Sequence, residues 1–104
     1  MPSPNRGEVW IVDLGMAAKI RPCLVLNIAL EPQDRVLVTV IPHTRSVQGT
    51  RFEVAVAAVF LKPGVFDTQQ LVSIPRVKFV RRIGRLDPDD LATVEDAVRF
   101  WLGF

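Results

Sequence analysis

The sequence has 104 residues, of which 49% are hydrophobic and 23% charged, and its formal net charge is +2. This length fits one domain with a single core, and the composition excludes a disordered chain. No apolar run approaches the roughly 18 residues that a transmembrane helix needs, and the first residues lack the apolar centre of a signal peptide. We therefore expect a cytoplasmic protein with no membrane contact, folded as one domain over residues 1–104.

The chain has one histidine, His43, and one cysteine, Cys23. A lone cysteine cannot form an internal disulfide, and its place in the run CLVL indicates a buried apolar residue. One histidine and one cysteine cannot supply the usual zinc ligand sets, and the glycines stand singly, which excludes a glycine-rich phosphate loop. The sequence therefore predicts no metal and no other cofactor.

Short runs rich in Val, Ile and Leu, bounded by Gly, Pro and Asp, are typical of β-strands. The six predicted strands are Glu8–Leu14, Cys23–Asn27, Arg35–Ile41, Phe52–Ala57, Thr68–Ile74 and Val77–Ile83. Strands this close together must close on themselves or leave exposed edges, so we predict a small, strongly bent barrel. The polar segment Pro42–Arg51 is predicted as a long functional loop, and Pro63 with Gly64 as a turn.

After Asp87 the hydrophobic period changes from two to about 3.6, which predicts a C-terminal helix. Asp87 can cap its amino end, Pro88 fits the first helical position, and Asp90 faces the helix dipole favourably. The apolar positions expected to pack on the barrel are Leu91, Val94, Val98 and Trp101. The overall prediction is a mainly β fold of the α+β class.

Positive charge is concentrated in the run Arg76–Arg85, RVKFVRRIGR, which holds five of the 13 Lys and Arg residues. Clustered basic side chains suit a polyanion such as a nucleic acid. An edge strand protected by positive charge would have the same composition. Both interpretations stay open at this stage.

Arginine and hydroxyl groups beside the predicted strands are the candidate chemical groups. Pro22 restricts Arg21 to extended backbone and so fixes its guanidinium, which suits the non-bridging oxygens of a phosphodiester. The alternative is a structural ion pair with Asp13. Thr44 can donate to a phosphate oxygen or orient a ribose hydroxyl, and the alternative is that it stabilises its own turn. Ser46 is a similar, weaker candidate.

Six segments occur in a characteristic order before the predicted helix: RGEVWIVDLG, RPCLVL, VTVIPHT, RFEVAV, LKPGVFDTQQLVSIP and RRIGRL. In this order, from Arg6 to about Val98, the chain resembles the MazF/PemK family of toxin endoribonucleases from type II toxin–antitoxin systems. The resemblance implies an SH3-like barrel of the CcdB–MazF type that acts as a homodimer. It also implies metal-independent cleavage of single-stranded RNA at short sequences and inhibition by a cognate antitoxin protein.

The resemblance also implies roles for individual residues. The arginine of the family's RP motif and the threonine of its PxT motif are the catalytic pair, and they match Arg21 and Thr44. A glutamine in a later strand corresponds best to Gln70, which we expect either to bind substrate or to have a structural role. The other residues beside these motifs that we expect to bind substrate are Lys19, His43 and Ser46.

The expected reaction is attack of the RNA 2′-hydroxyl on the adjacent phosphate, which needs oxyanion stabilisation, a proton acceptor and a proton donor. Arg21 would stabilise the phosphorane, and Thr44 would position the phosphate or the attacking hydroxyl. Arginine stays charged near neutral pH and is a poor acceptor. The acceptor is left open among His43, a carboxylate and water.

Two departures from the family pattern keep other functions open. The loop Gly15–Ile20, GMAAKI, is short and apolar, whereas many members carry acidic residues or glutamine there; a barrel that binds RNA without cutting it is one alternative. The tail Phe100–Phe104, FWLGF, resembles the Trp-Gly end of the CcdB gyrase poisons, which share the fold. A non-enzymatic protein that poisons DNA gyrase is the second alternative.

Overall fold

The computed structural model describes residues 3–15 and 19–104. In these residues the strands are β1 (Glu8–Asp13), β2 (Ile20–Val25), β3 (Leu37–Thr44), β4 (Glu53–Val54), β5 (Val65–Asp67), β6 (Val72–Pro75) and β7 (Phe79–Arg85). They are followed by the helix α1, Pro88–Leu102, and short 3-10 turns occupy Thr68–Gln70 and Arg76–Lys78. The predicted loop Gly15–Ile20 lies partly outside the described residues.

All strand pairs are antiparallel, in the order β4-β5-β3-β2-β1-β7, with β6 also paired to β3. Strand β3 links the two parts of the sheet, because along one edge it pairs first with β6 and then with β5. Its first half, Leu37–Val40, pairs with β6, and its last residues, His43 and Thr44, pair with β5. The described strands form an open but strongly bent, barrel-like sheet, which confirms the predicted fold class.

Both faces of the central strands are buried, because successive residues of a strand point to opposite faces. One face packs under the helix, and its buried residues include Val9, Leu24, Ile41, Phe66 and Val94. The other face lies inside the bent sheet, and its buried residues include Trp10, Val12, Cys23, Val40 and Phe79. Cys23 belongs to this interior, and burial raises the pKa of its thiol to about 12, so it is an unreactive apolar residue as predicted.

The C-terminal helix begins and packs as predicted, except at its end. The Asp87 side chain accepts the Asp90 N–H at 2.9 Å, and Val94 is fully buried. Arg6 ties the helix to the barrel by pairing with Glu95. The predicted burial of Trp101 is wrong, because its side chain is 41% exposed.

The reason lies in what the last helical turn faces. There the helix meets the Phe52 ring rather than the main core, and the Trp101 and Phe52 ring centroids lie 5.1 Å apart. Phe100 packs on Phe52 at 5.2 Å, and both Phe100 and Phe104 are exposed. No helix in residues 3–15 and 19–104 is long and apolar enough to cross a membrane.

Two strands are longer than predicted, and both extend toward the candidate site. Strand β2 begins at Ile20, so Arg21 and Pro22 lie within it. Strand β3 continues through Pro42 to Thr44, so Thr44 is the last strand residue rather than a loop residue. Proline is unfavourable inside a sheet, but Pro42 lies where the β6 ladder ends and the β5 ladder begins.

The region between β3 and β7 differs most from the prediction. The predicted strand Phe52–Ala57 contains only β4, and the predicted strand Thr68–Ile74 is a 3-10 turn followed by β6. The strand Val65–Asp67 was missed, because three residues after a Pro-Gly turn are too few to show an alternating pattern.

Candidate functional site

Arg21 and Thr44 lie on neighbouring strands in matching register. In the β2–β3 ladder Leu24 pairs with Ile41 and Cys23 pairs with Pro42. Continuing this register by two residues places Arg21 opposite Thr44 on the same face of the sheet. The antiparallel ladder therefore brings the RP and PxT motifs together without any contribution from a loop.

A large cleft of about 880 Å³ opens beside this pair. We call it the basic cleft, because its charged lining residues are Arg21, Arg45, Lys62, Arg81 and Arg82. None of the described residues that line it is acidic. A concave surface lined by one sign of charge concentrates ligands of the opposite sign, here an anion.

A second cavity, of about 280 Å³, also adjoins the pair. We call it the small hollow, and its lining residues are Leu14, Arg21, Pro42, Thr44, Ser46, Gln48, Asp67 and Gln70. Arg21, Thr44 and Ser46 line both cavities. The two candidate catalytic residues therefore stand at the boundary between a large basic cleft and a small hollow whose lining includes two amides and one carboxylate.

Thr44 is held by two contacts. Its Oγ1 accepts the Ser46 N–H at 3.0 Å, so the turn-stabilising role exists, and the hydroxyl hydrogen is still able to donate elsewhere. Gly64 packs against its backbone so closely that an added Cβ would lie 2.3 Å from the Thr44 carbonyl oxygen. The sequence identified Gly64 only as a turn residue, although the close approach makes glycine necessary there.

His43 lies on the opposite face of β3 from Thr44 and forms part of the wall of the basic cleft. It is 3% exposed, and its ring meets the Phe66 ring edge-to-face, with centroids 5.0 Å apart. Its Nε2 is buried without a hydrogen-bond partner among the described residues. Burial lowers the pKa of His43 below its ordinary value, so the imidazole is neutral near neutral pH.

The loop after Thr44 is organised by Glu53. Its carboxylate accepts the backbone N–H groups of Gln48 at 3.0 Å, Gly49 at 2.6 Å and Thr50 at 2.8 Å. These hydrogen bonds, first that of Gln48, lower the pKa of Glu53 below its ordinary value. They hold the backbone of Gln48 at the small hollow. No local pattern indicated this placement, because Glu53 lies beyond the polar segment Pro42–Arg51.

The basic run Arg76–Arg85 divides into structural and cleft-lining residues. Arg82 and Arg85 pair with Glu8 at 3.5 and 3.6 Å, and Glu8 is 4% exposed. Burial raises the pKa of Glu8, but the Asn5 N–H, the Trp10 Nε1–H and the two arginines together hold it below its ordinary value. Arg82 thus pairs with the buried Glu8 and also lines the cleft.

Of the other predicted substrate-binding residues, Ser46 and Gln70 lie at the cavities and Lys19 does not. Ser46 lines both cavities, and the exposed Gln70 lines the small hollow. Lys19 is exposed, has a backbone φ of 61° and lines neither cavity. Lys62 and Phe60 also line the basic cleft, although no motif in the sequence indicated either residue.

The bent antiparallel sheet, its C-terminal helix and the basic cleft define a small barrel protein with a concave surface lined by basic residues. Residues 5–102 match the family model of the PemK-like, MazF-like toxins of type II toxin–antitoxin systems. The chain belongs to this family, which confirms the resemblance found in the sequence.

Solved structures agree with this assignment. MazF from Deinococcus radiodurans (Form-I) is 26% identical, with a TM-score of 0.84 and 100% of both chains covered. The Mycobacterium tuberculosis toxin MazF-mt6 is 28% identical, with a TM-score of 0.79 and coverage of 93% of this chain and 97% of that one. A mycobacterial endoribonuclease in complex with its cognate antitoxin is 19% identical over 98% of this chain and 97% of that one, with a TM-score of 0.84, and shows the shared fold.

Proposed function

We propose that this toxin is a sequence-specific endoribonuclease that cleaves single-stranded RNA without a metal ion and is inhibited by a cognate antitoxin. The observation that carries the proposal is the placement of Arg21 opposite Thr44 at the edge of a cleft with five basic lining residues. A polyanionic strand can lie along such a cleft through its phosphates, whatever its sequence. The names of the related endoribonuclease and MazF structures support the same activity.

In the proposed reaction the 2′-oxygen of one nucleotide attacks the adjacent phosphorus atom. The new P–O2′ bond forms, the P–O5′ bond breaks, and the products are a 2′,3′-cyclic phosphate and a free 5′-hydroxyl. Negative charge grows on the non-bridging oxygens in the transition state, where the Arg21 guanidinium stabilises it. The Thr44 hydroxyl donates to the same phosphate or orients the 2′-hydroxyl, and holding this geometry lowers the entropic part of the barrier.

The 2′-hydroxyl proton passes to one of three acceptors, which are neutral His43, the Asp67 carboxylate or water. The leaving 5′-oxygen takes its proton from the protonated acceptor or from water. His43 carries an unprotonated nitrogen near neutral pH, although its ring lies on the other face of β3 from Thr44. A His43 acceptor would give a cleavage rate that falls as the pH drops through the pKa of His43. That limb of the pH–rate profile would then be absent in His43→Asn.

The decisive experiment is incubation of the purified protein with a long single-stranded RNA in EDTA, followed by mapping of the RNA ends. We expect cyclic phosphate ends, and about 100- to 1,000-fold slower cleavage in Arg21→Ala and in Thr44→Ala, as for the loss of one oxyanion donor. Arg35→Ala and Thr93→Ala are matched controls, because both residues are exposed and line neither cavity. Binding without cleavage, or intact RNA beside trapped gyrase–DNA complexes, would overturn the proposal.

We also propose that the toxin acts as a homodimer. The hydrophobic fraction is 49%, and the segment around Ala55–Gly64 leaves Val59 fully exposed. A second copy that covered this apolar surface would remove it from water. Sedimentation should give twice the mass of the chain, and Val59→Lys should shift the protein toward monomer. A wild-type monomer at micromolar concentration would contradict this.

A further inference from the structure

The small hollow has polar walls that binding of a phosphate backbone does not explain. We propose that it is a base-recognition subsite that takes a base with an exocyclic amino group, namely adenine, cytosine or guanine, and rejects uracil. Asp67 is the residue that makes this selection. The inference rests on the proposed RNA cleavage and names the part of the substrate that the hollow holds.

The size and position of the hollow suit a single base. Its volume of about 280 Å³ is just below the range of about 300–1,000 Å³ typical of pockets for drug-sized ligands. It adjoins the Arg21–Thr44 pair, so a base in it belongs to a nucleotide beside the scissile phosphate. Leu14 and Pro42 offer apolar surface to the ring, while Gln48 and Asp67 offer polar groups to its edge.

Asp67 limits which base edge can bind. Its Oδ1 accepts the Gln69 N–H at 3.1 Å and so caps the 3-10 turn Thr68–Gln70. Its Oδ2 has no hydrogen-bond partner in the described part of the chain, and an ionised carboxylate can only accept. Adenine, cytosine and guanine each present an amino group that can donate to this oxygen. Uracil has a single N–H between two carbonyl oxygens, which would face the carboxylate unfavourably.

Gln48 complements this selection because it is already in position. The Glu53 carboxylate holds the Gln48 backbone N–H at 3.0 Å and the next two N–H groups as well. The side-chain amide of Gln48 has both donors and an acceptor. It can therefore form a hydrogen bond with an amino group or with a carbonyl oxygen of a base. A loop backbone held in advance leaves less of the site to be ordered on binding, which sharpens discrimination.

Asp67→Asn is a suitable test because asparagine caps helical turns about as well as aspartate, so the turn is retained. The variant replaces one acceptor by an NH₂ donor, which suits the carbonyl oxygens of uracil. A random RNA pool is cleaved by each protein and the cut sites are sequenced. For the wild type we expect uracil to be depleted at one position beside the cut. In Asp67→Asn we expect uracil to gain at least about fivefold there, the lower end of one matched base contact.

Asp34→Asn is the matched control, because Asp34 also accepts a backbone N–H in an exposed turn but lines neither cavity. Its cleavage pattern should equal that of the wild type. Uracil at its background frequency on both sides of the wild-type cut would overturn the inference while leaving the ribonuclease intact. A uniform loss of cleavage in Asp67→Asn, with base preference unchanged, would also overturn it and indicate a proton acceptor or a structural role.

A binding experiment separates the proposal of base recognition from the proposal of RNA cleavage. RNA from the same pool that binds to Thr44→Ala is recovered and sequenced. We expect uracil to be depleted in the RNA that Thr44→Ala binds, and less depleted when Asp67→Asn is added. That result would support base recognition even if the wild type cut no RNA. Bound RNA of random sequence, or no bound RNA, would overturn it.

Discussion

The basic cleft and the small hollow meet at Arg21 and Thr44, yet they differ in volume by about 600 Å³ and in every charged residue except Arg21. The cleft has only basic charges, whereas the hollow has two amides and the Asp67 carboxylate. Consecutive residues of β3 point to opposite faces, so His43 borders one cavity while Pro42 borders the other. Backbone phosphates, which every RNA shares, suit the cleft, and the edges of bases, which differ, suit the hollow.

The largest expected effects come from substitutions of two glycines, Gly64 and Gly84. Comparing them tests whether the exact position of Thr44 determines the cleavage rate. A Cβ on Gly64 would lie 2.3 Å from the Thr44 backbone oxygen, so Gly64→Ala must move the end of β3. A shift of about 1 Å at a catalytic group can cost about 100-fold in rate, and we expect that loss in kcat with nearly unchanged RNA binding.

Gly84→Ala is the matched comparison, because its Cβ would meet the Phe60 side chain at 2.4 Å rather than backbone. Phe60 borders only the basic cleft, so this variant should weaken RNA binding more than it lowers kcat. Circular dichroism confirms that each variant folds. Equal kcat values for the two folded variants would show that Thr44 need not be held in place.

The basic cleft should determine affinity and salt dependence without affecting the cleavage sequence. In the double variant Lys62→Ala/Arg81→Ala we expect about tenfold weaker RNA binding at low salt. Because each lost phosphate contact lowers the salt slope for single strands by about 0.7, the slope should fall by about 1.4. Lys78→Ala, in the same basic run but outside both cavities, is the control. An altered cleavage sequence in the double variant would contradict the division between cleft and hollow.

Base discrimination by the small hollow should depend on Glu53, although Glu53 does not line the hollow. Glu53→Gln keeps one oxygen for Gly49 and Thr50 but places an NH₂ group against the Gln48 N–H. Losing this hydrogen bond should reduce base discrimination by about fivefold, with a smaller change in the rate on the best sequence. Glu31→Gln, in another exposed loop, should change neither quantity. Sequencing of cut sites measures both, and an unchanged preference would show that Gln48 needs no anchor.

The smallest expected effect concerns His43 and the pH. The unfolded chain binds a proton at His43 below its ordinary pKa of 6.5, and burial makes the folded protein resist that proton. The free energy of unfolding should therefore be fully retained above pH 6.5 and fall as the pH drops from there toward the lowered pKa. The slope is at most about 1.4 kcal/mol per pH unit, and His43→Asn should lack it. Urea unfolding at several pH values measures it, and identical slopes in both proteins would contradict this account.

Local pattern was sufficient for part of the candidate site. The RP and PxT motifs identified Arg21 and Thr44, and Asp87 with Pro88 predicted the start of α1, because caps and motifs depend on neighbours in the chain. The strands Val65–Asp67 and Glu53–Val54 were missed or overextended, since such short strands are defined by their partners rather than by their own residues. Trp101 was misplaced because helical periodicity identifies a face of the helix but not where the sheet beneath it ends.

The sequence by itself determined the fold class, the capped C-terminal helix, the buried Cys23 and the candidate pair Arg21 and Thr44. Each of these depends on composition, on local periodicity or on a short motif. The tertiary structure decided that the pair stands between two cavities of different chemistry, that Gly64 holds Thr44 and that Glu53 holds Gln48. It also decided which residues of the basic run Arg76–Arg85 pair with Glu8 and which line the basic cleft. Except for the local Glu53–Gln48 contact, these are contacts between residues distant in the chain, which only the folded sheet brings together.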